Sequence, residues 1–328
     1  MIVIVDRIDE PLIKEKIGNS SASFKRVDLY NRTVYVIWGD NIKINNKNMI
    51  VSKNGLALSL REWKNEKTEV MVGDVKIGGN DIVVAAGPCS VESEEQMFEA
   101  ARIVKKYGGS ILRGGIYKPR TSPYSFQGLG DLGMNILLKV RDDFSMPVVT
   151  EFLEKESAKK YQNFVDMIQV GSRNAQNFPF LGYLGTLKKP VLLKNGMGNS
   201  VTEWLSSSEY VLSNGNGDVV LCYRGVKSSI PETRFNFDLG AIAKVKEMTH
   251  LPLCIDPSHP SGNRKFVETI ALAGIAAGAD MLEIEVHPDP ENALSDSEQQ
   301  LNENEFRNLM ENVKRLAEAL GRRVWNLR

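Results

Sequence analysis

From residue 81 onward, short runs of β-branched and aliphatic residues alternate with longer stretches in which apolar side chains recur every three or four positions. The runs fall at 82–86, 110–112, 147–151, 165–170, 190–194, 218–224, 251–256 and 281–287. Continuous apolar runs of that length read as strands buried on both faces. Helical periodicity occupies 94–107, 132–144, 201–211, 237–248, 264–277 and 304–320 between and after them. Eight strand–helix units in about 245 residues predict an α/β fold, a (β/α)8 barrel, because parallel strands need crossovers and eight close without an edge. A doubly wound open sheet is the runner-up. It would want a glycine-rich dinucleotide turn after its first strand, and Ala86-Gly-Pro-Cys-Ser is not one.

The first 66 residues have a different texture. The pattern predicts a strand at 1–5, a short helix at 10–17 and a hairpin of 24–30 with 33–38 about Asn31-Arg32, together a small α+β unit. A polar, Asn-rich stretch begins at Lys43, and 61–67 is charged in the manner of a linker. The expected division is therefore 1–66 and 67–328, the larger unit opening with a hairpin at 69–76 closed by Gly78-Gly79.

Composition narrows the function classes. With 42% hydrophobic and 25% charged residues, and 41 basic against 41 acidic side chains, the 328-residue chain has no general pull toward nucleic acid or membrane. No apolar run approaches the ~20 residues of a membrane span, and the start lacks a basic, cleavable leader, so a cytoplasmic location is expected. Three cysteines at no zinc-knuckle spacing predict free thiols, with Cys222 and Cys254 buried in packing.

The candidate chemistry lies at the strand ends. Each strand finishes in or beside a residue that a purely structural barrel would not choose: Cys89, Arg113, Glu151, Arg173, Lys194, Arg224, Asp256 with His259, and Glu285 with His287. Barrel enzymes build their sites at that rim. Closure makes the last strands neighbours of the first, so Cys89, His259 and Glu285 can meet, and Asp296 in the following loop can join them. Thiolate, imidazole and carboxylate suit a divalent transition metal without selecting one. Opposite that corner the pattern places Arg113, Lys118, Arg173, Lys194 and Arg224. Five cations in one cleft call for ligands with several negative charges, hence two anionic substrates. Glu151 among them is a counter-ion or a general acid/base. Gly114 and Gly115 let backbone approach a ligand, and Pro119 and Pro123 stiffen the loop that carries Lys118 and Arg120. Glu283 shares an inward face with Glu285 about 6–7 Å deeper, which predicts a buried carboxylate paired with a basic group or hydroxyl and steadying the metal corner.

Ala-Gly-Pro-Cys-Ser (86–90), the run Leu-Arg-Gly-Gly-Ile-Tyr-Lys-Pro-Arg-Thr-Ser-Pro-Tyr-Ser-Phe-Gln-Gly (112–128), Gln-Val-Gly-Ser-Arg-Asn-Ala-Gln-Asn (169–177), Asp-Pro-Ser-His (256–259) and Glu-Val-His-Pro (285–288) resemble 3-deoxy-D-arabino-heptulosonate 7-phosphate (DAHP) synthase. The likeness is to the type I-beta branch, over about 69–320. It implies condensation of phosphoenolpyruvate with erythrose 4-phosphate, opening the shikimate route to aromatic amino acids. It makes Cys89, His259, Glu285 and Asp296 ligands of a divalent ion, manganese first, with iron, cobalt or zinc as alternatives. Arg113, Lys118, Arg173, Lys194 and Arg224, with Asp256, then bind phosphoenolpyruvate, and Arg120, Thr121 and Ser122 the aldose phosphate. Lys118, Glu151 and His259 become the candidate catalytic residues. The family usually carries an apolar residue at the position of Glu283.

The rival reading is the related 3-deoxy-D-manno-octulosonate 8-phosphate synthase, which acts on arabinose 5-phosphate. Its members usually carry Lys-Ala-Asn-Arg-Ser where this chain has Lys118-Pro-Arg-Thr-Ser, favouring the four-carbon sugar here. A non-catalytic metabolite sensor on the same barrel would be expected to lose ligands, and all are present. In relatives a ferredoxin-like extension senses Phe or Tyr, and the first strand, helix and hairpin resemble it, whereas 43–58 shows no convincing second helix. The resemblance also implies a homotetramer.

Overall fold

Short β-branched strands alternate with amphipathic helices along most of the chain, and the computed structural model describes residues 2–6, 10–17, 21–39, 49–52, 55–229 and 232–325. The first elements are β1 (Ile2–Asp6), α1 (Glu10–Ile17), β2 (Ser23–Leu29), β3 (Arg32–Trp38) and β4 (Met49–Ser52), followed by the hairpin β5 (Val70–Val72) and β6 (Val75–Ile77). Then come β7 (Asp81–Gly87), α2 (Glu94–Tyr107), β8 (Ile111–Arg113), α3 (Asp131–Phe144), β9 (Val148–Glu151), α4 (Lys155–Tyr161), β10 (Met167–Val170) and α5 (Phe178–Gly185). The remainder is β11 (Val191–Lys194), α6 (Val201–Leu212), β12 (Val219–Tyr223), α7 (Leu239–Met248), β13 (Leu253–Ile255), α8 (Ser258–Ser261), α9 (Arg264–Ala276), β14 (Met281–Glu285), α10 (Glu303–Ala319) and β15 (Arg323–Val324).

Strands β7 to β14 pair in sequence order, all parallel, and β14 returns to β7 with Glu285 opposite Gly87, closing a (β/α)8 barrel. All eight predicted runs are strands of it. Helices α4 and α5 were not among the predicted stretches; they are only 7 and 8 residues long, too short for a clear 3.6-residue period. Among the described residues no helix is long and apolar enough to cross a membrane.

Strand parity decides which side chains face inward. Val83, Ala85, Ile111, Val149, Met167, Leu192, Val220, Cys222, Cys254 and Met281 form one cluster with Val70, Val72, Val75 and Ile77 of the β5–β6 hairpin, which fills the barrel floor. The next inward position on each strand is polar: Arg113, Glu151, Gln169, Lys194, Arg224, Asp256 and Glu283. An apolar plug thus lies directly under an ionic layer. The outward parity, with Val84, Leu112, Val148, Leu193, Leu221 and Ile284, packs against the helices. On β7 the corresponding inward position is Gly87, and a Cβ there would meet Arg113 O at 2.0 Å, so only glycine lets the two strand ends approach.

The N-terminal strands form an antiparallel sheet in the order β2-β3-β1-β4, which is the strand order of a ferredoxin-like unit. One face packs on Ile13 of α1, and the other, through Ile4, Val27, Leu29 and Val34, joins the main core. Strand β4 was not predicted. Of 43–58, where no second helix is expected, residues 43–48 and 53–54 lie outside the described residues, and 49–52 form β4. The boundary expected near 66 lies in a segment seated on the barrel rather than a free linker. The Glu209 carboxylate accepts from the N–H groups of Ala57, Leu58 and Ser59 at 2.8, 3.0 and 2.9 Å, and Trp63 is buried. The sheet docks at the N-terminal ends of the strands, where Tyr30 donates to Gly217 O at 2.9 Å, so it stands at the end of the barrel away from the charged rim.

Candidate active site

A cleft of about 450 Å³ opens at the C-terminal ends of the barrel strands. Its lining includes Cys89, Arg113, Lys118, Arg120, Thr121, Ser122, Glu151, Arg173, Lys194, Arg224, His259 and Asp296, so most of the residues expected at the rim converge there. Tyr117, Gln169, Ser172, Met197, Lys227, Arg234 and Phe235 line it as well and were not anticipated. Lys227 and Arg234 sit on the loop after β12, where no periodicity marks them.

One corner gathers soft and hard donors. The ligand atoms of Cys89, Glu285 and Asp296 lie within 4.8 Å of one another. His259 Nε2 stands 3.7 Å from Glu285 Oε1 and 3.9 Å from Asp296 Oδ2, and its Nδ1 is 2.6 Å from Asp256 Oδ2. Backbone and side-chain contacts fix these groups. The Cys89 N–H donates to Gln300 Oε1 at 2.9 Å, the Glu285 N–H to Ser258 Oγ at 3.0 Å, and Gln299 Nε2 to Glu285 Oε2 at 2.6 Å. Lys118 also belongs to this corner and not to the opposite side where the sequence had placed it. Its ammonium donates to Cys89 Sγ at 2.6 Å and to Asp296 Oδ2 at 2.8 Å. The loop that carries it runs five residues past the strand end and folds back over the barrel mouth.

The ionic layer forms the floor of the cleft, with its carboxylates Asp256 and Glu283 set behind the lining cations. Lys194 Nζ is 2.7 Å from Asp256 Oδ2 and 2.9 Å from Glu283 Oε2, while Arg113 is 3.5 Å from Glu283 Oε1 and 3.3 Å from Glu285 Oε1. Glu283 is 2% exposed and paired with two cations, as the sequence reading anticipated for a carboxylate at that depth. Asp256, expected to bind substrate, does not line the cleft. It is the buried partner of Lys194 and His259. Glu285 is likewise below the cleft surface, and His287 turns away from it to Glu92, 3.3 Å from Oε2.

Charge and burial set the protonation states. Burial pushes the Cys89 thiol up to about 12, with Glu285 adding to the shift and Lys118 opposing it. Burial alone would raise Asp296, but Lys118, His259 and Arg234 hold it well below the usual carboxylate range. Asp256 is held down against its burial by His259 and Lys194. Arg113 and Lys194 keep their protons against burial because Glu283 faces both, with Glu285 beside the first and Asp256 beside the second. Arg224 differs. Burial lowers it to about 10, its guanidinium carbon lies 3.6 Å over the Phe235 ring, and its Nη1 has no hydrogen-bond partner among the described residues. Arg120 Nη1 and Ser172 Oγ are buried without partners too. Unmet donors on a cleft wall are costly unless a ligand accepts from them. Eight lining cations, Arg113, Lys118, Arg120, Arg173, Lys194, Arg224, Lys227 and Arg234, against the carboxylates of Glu151 and Asp296 specify a polyanionic ligand.

The chain matches the DAHP synthetase I family over residues 43–322. It is 46% identical over 264 residues to a phospho-2-dehydro-3-deoxyheptonate aldolase of Thermotoga maritima, an overlap of 80% of this chain and 78% of that protein. A 2-dehydro-3-deoxyphosphooctonate aldolase of Legionella pneumophila is 30% identical over 251 residues, 71% of this chain and 90% of the relative. Among solved structures, the Thermotoga maritima phospho-2-dehydro-3-deoxyheptonate aldolase (DAHP synthase) superposes with a TM-score of 0.82 at 38% identity, over 99% of this chain and 98% of that one. A truncated form of the Thermotoga enzyme superposes with a TM-score of 0.76 at 41% identity, over 82% of this chain and 98% of its own.

Proposed function

The chain belongs to the DAHP synthetase I family, and from that premise we infer the work of its cleft. It condenses phosphoenolpyruvate with D-erythrose 4-phosphate to 3-deoxy-D-arabino-heptulosonate 7-phosphate and phosphate, the entry to aromatic biosynthesis. The observation that carries the assignment of roles is the wall of cations whose Arg120, Arg224 and Ser172 donors lack partners. Arg113, Arg173, Lys194 and Arg224 hold the phosphate and carboxylate of phosphoenolpyruvate, and Arg120, Thr121 and Ser122 hold the aldose phosphate. Held so, C3 of the enol faces the aldehyde carbon at near-attack distance, which is where most of the rate enhancement originates. The new C–C bond leaves positive charge at C2. Water adds there and the C2–O bond to phosphate then breaks. Glu151, which accepts from Gln169 Nε2 at 3.3 Å on the cleft wall, is the carboxylate assigned to the proton of that water. Lys118, on the cleft wall beside Cys89 and Asp296, is assigned to protonate the alkoxide formed from the aldehyde.

Cys89, Glu285 and Asp296, with His259 next to them, fit a divalent ion by donor type and mutual distance. A bound ion would polarise the aldehyde oxygen as a Lewis acid. Manganese is the first choice, with iron, cobalt and zinc as alternatives. The same reading makes residues 1–66 a regulatory unit responsive to Phe or Tyr, 67–328 the catalytic unit, and the assembly a homotetramer in the cytoplasm. The test is the loss of phosphoenolpyruvate absorbance with erythrose 4-phosphate against arabinose 5-phosphate, repeated in excess chelator and after manganese is restored. Turnover of arabinose 5-phosphate alone would transfer the assignment to the octulosonate branch, and undiminished turnover in chelator would remove the metal.

A further inference from the structure

Strand β14 sends two carboxylates inward, and the deeper one, Glu283, has no part in the steps just described. Its Oε2 lies 2.9 Å from Lys194 Nζ and 3.7 Å from Cys222 Sγ, and its Oε1 lies 3.5 Å from Arg113 Nε. Each cation has a further partner. Lys194 meets Asp256 at 2.7 Å, and Arg113 meets Glu285 at 3.3 Å and Pro88 O at 2.9 Å. Among the described residues, Glu283 is the one carboxylate that forms ion pairs with both. Arg113 and Lys194 repel each other at this depth, and the barrel floor around them is apolar. An apolar side chain at 283 would leave them unbridged.

We propose that Glu283 is a positioning residue that fixes the spacing of Arg113 and Lys194 and trims the net charge of the phosphoenolpyruvate pocket. The inference rests on the assignment of those two cations to phosphoenolpyruvate. Without the negative charge the ionic layer becomes one unit more positive. Substrate and released phosphate are both anions, so both bind more tightly in the ground state. Tightening that is equal in ground and transition states does not raise kcat, and slower phosphate release lowers it.

Glu283→Gln keeps the shape and removes the charge, whereas Glu283→Met removes both charge and hydrogen bonds at similar volume. Dissociation constants for phosphoenolpyruvate and inorganic phosphate, kcat, both KM values and Tm are measured on the full chain with its divalent ion. For Glu283→Gln we expect about three- to tenfold tighter binding of both anions, a several-fold lower kcat and an erythrose 4-phosphate KM within about twofold of the parent. Glu283→Met should bind both anions more tightly as well and lose more kcat, because the two cations then drift. A purely structural role would move Tm and leave anion binding alone. Anion dissociation constants within about twofold of the parent in whichever variants fold, or weaker binding in Gln, would overturn the proposal. Arg173→Ala in the same series separates the two assignments. If it weakens phosphoenolpyruvate binding while Glu283→Gln changes nothing, only the role of Glu283 is wrong. If it leaves binding intact, the cation assignment itself is wrong.

Discussion

Lys118 donates to the sulfur of Cys89 at 2.6 Å while also holding Asp296 Oδ2 at 2.8 Å, so its ammonium sits on two of the donors that would bind a metal. Burial has pushed the Cys89 thiol up to about 12, and at neutral pH it carries a proton that a divalent ion must displace. Deprotonation favours the metal, so affinity should rise with pH, by about tenfold per unit below the thiol pKa. Calorimetry in buffers of different ionisation enthalpy should find about one proton released per ion. Affinity independent of pH, with no proton released, would remove Cys89 from the ligand set. Cys89→Ala should resemble the chelated enzyme.

If the cleft divides between two substrates as proposed, single substitutions should expose the division. Arg173 lines the cleft and makes no side-chain hydrogen bond or ion pair among the described residues, so on the proposed reading Arg173→Ala removes a ligand contact and little else. It should cost about 2–5 kcal/mol in phosphoenolpyruvate use and far less in aldose use. Arg120→Ala should do the reverse, raising the erythrose 4-phosphate KM. Arg113→Ala is a poorer probe. It would strand Glu283 and Glu285 in a dry layer, a destabilisation of about 3–5 kcal/mol by itself. Steady-state kinetics with each substrate varied in turn would decide, and equal effects of Arg173→Ala and Arg120→Ala on both substrates would redraw the partition.

Much of this was legible in the chain because strand parity is rigid. Once Val149, Leu192 and Cys254 are taken as inward, Glu151, Lys194 and Asp256 must follow them two residues later. The same logic found Glu283. Parity does not tell which inward groups a ligand reaches: Glu151 and Lys194 line the cleft, whereas Asp256, given to substrate by the resemblance, is taken up by Lys194 and His259. Loop residues obey no such period. Lys118 was placed on the wrong side for that reason, and Arg234, Lys227 and Gln299 were not seen at all. The one local feature beside Arg234 is Phe235, whose ring carries Arg224 on its face.

Arg234 reaches the metal corner through a relay. Its Nη1 donates to Gln299 Oε1 at 2.7 Å and lies 3.5 Å from Asp296 Oδ1, while Gln299 Nε2 donates to Glu285 Oε2 at 2.6 Å. The amide is therefore oriented by the guanidinium and in turn orients a metal-facing carboxylate. Gln299→Leu should lower metal affinity about 10- to 100-fold with the barrel still folded. Arg234→Ala should fall at the weaker end of that range, because Gln299 keeps its contact to Glu285. Metal titration followed by circular dichroism as the fold control would check both. Unchanged affinity in Gln299→Leu would show that Glu285 is held well enough by Arg113 and Ser258 alone.

At the end of the barrel away from the cleft, His250 joins the N-terminal sheet to the barrel. Its ring is 5.7 Å from Tyr30 and 5.8 Å from Trp63, centroid to centroid. Nε2 lies 2.7 Å from Leu58 O, which can only accept, so Nε2 carries the proton and Nδ1 accepts from the Thr68 hydroxyl at 2.8 Å. Burial pulls its pKa down from 6.5 to about 4, with Lys64 and Arg61 adding to the effect against the hydrogen bond to Leu58. The neutral ring is thus the folded form, and an unfolded chain binds the proton more readily between those two values. Stability from this site is complete above pH 6.5 and declines as pH falls toward 4, by roughly 3 kcal/mol at most. His250→Asn should be less stable at pH 7, and its deficit against the parent should shrink by about that amount on acidification to pH 4. Denaturant unfolding of both proteins across this range gives the difference, in which carboxylates common to both cancel. A deficit that stays constant with pH would show that protonation of His250 is not what limits the junction, and would leave the packing of Tyr30 and Trp63 to account for it.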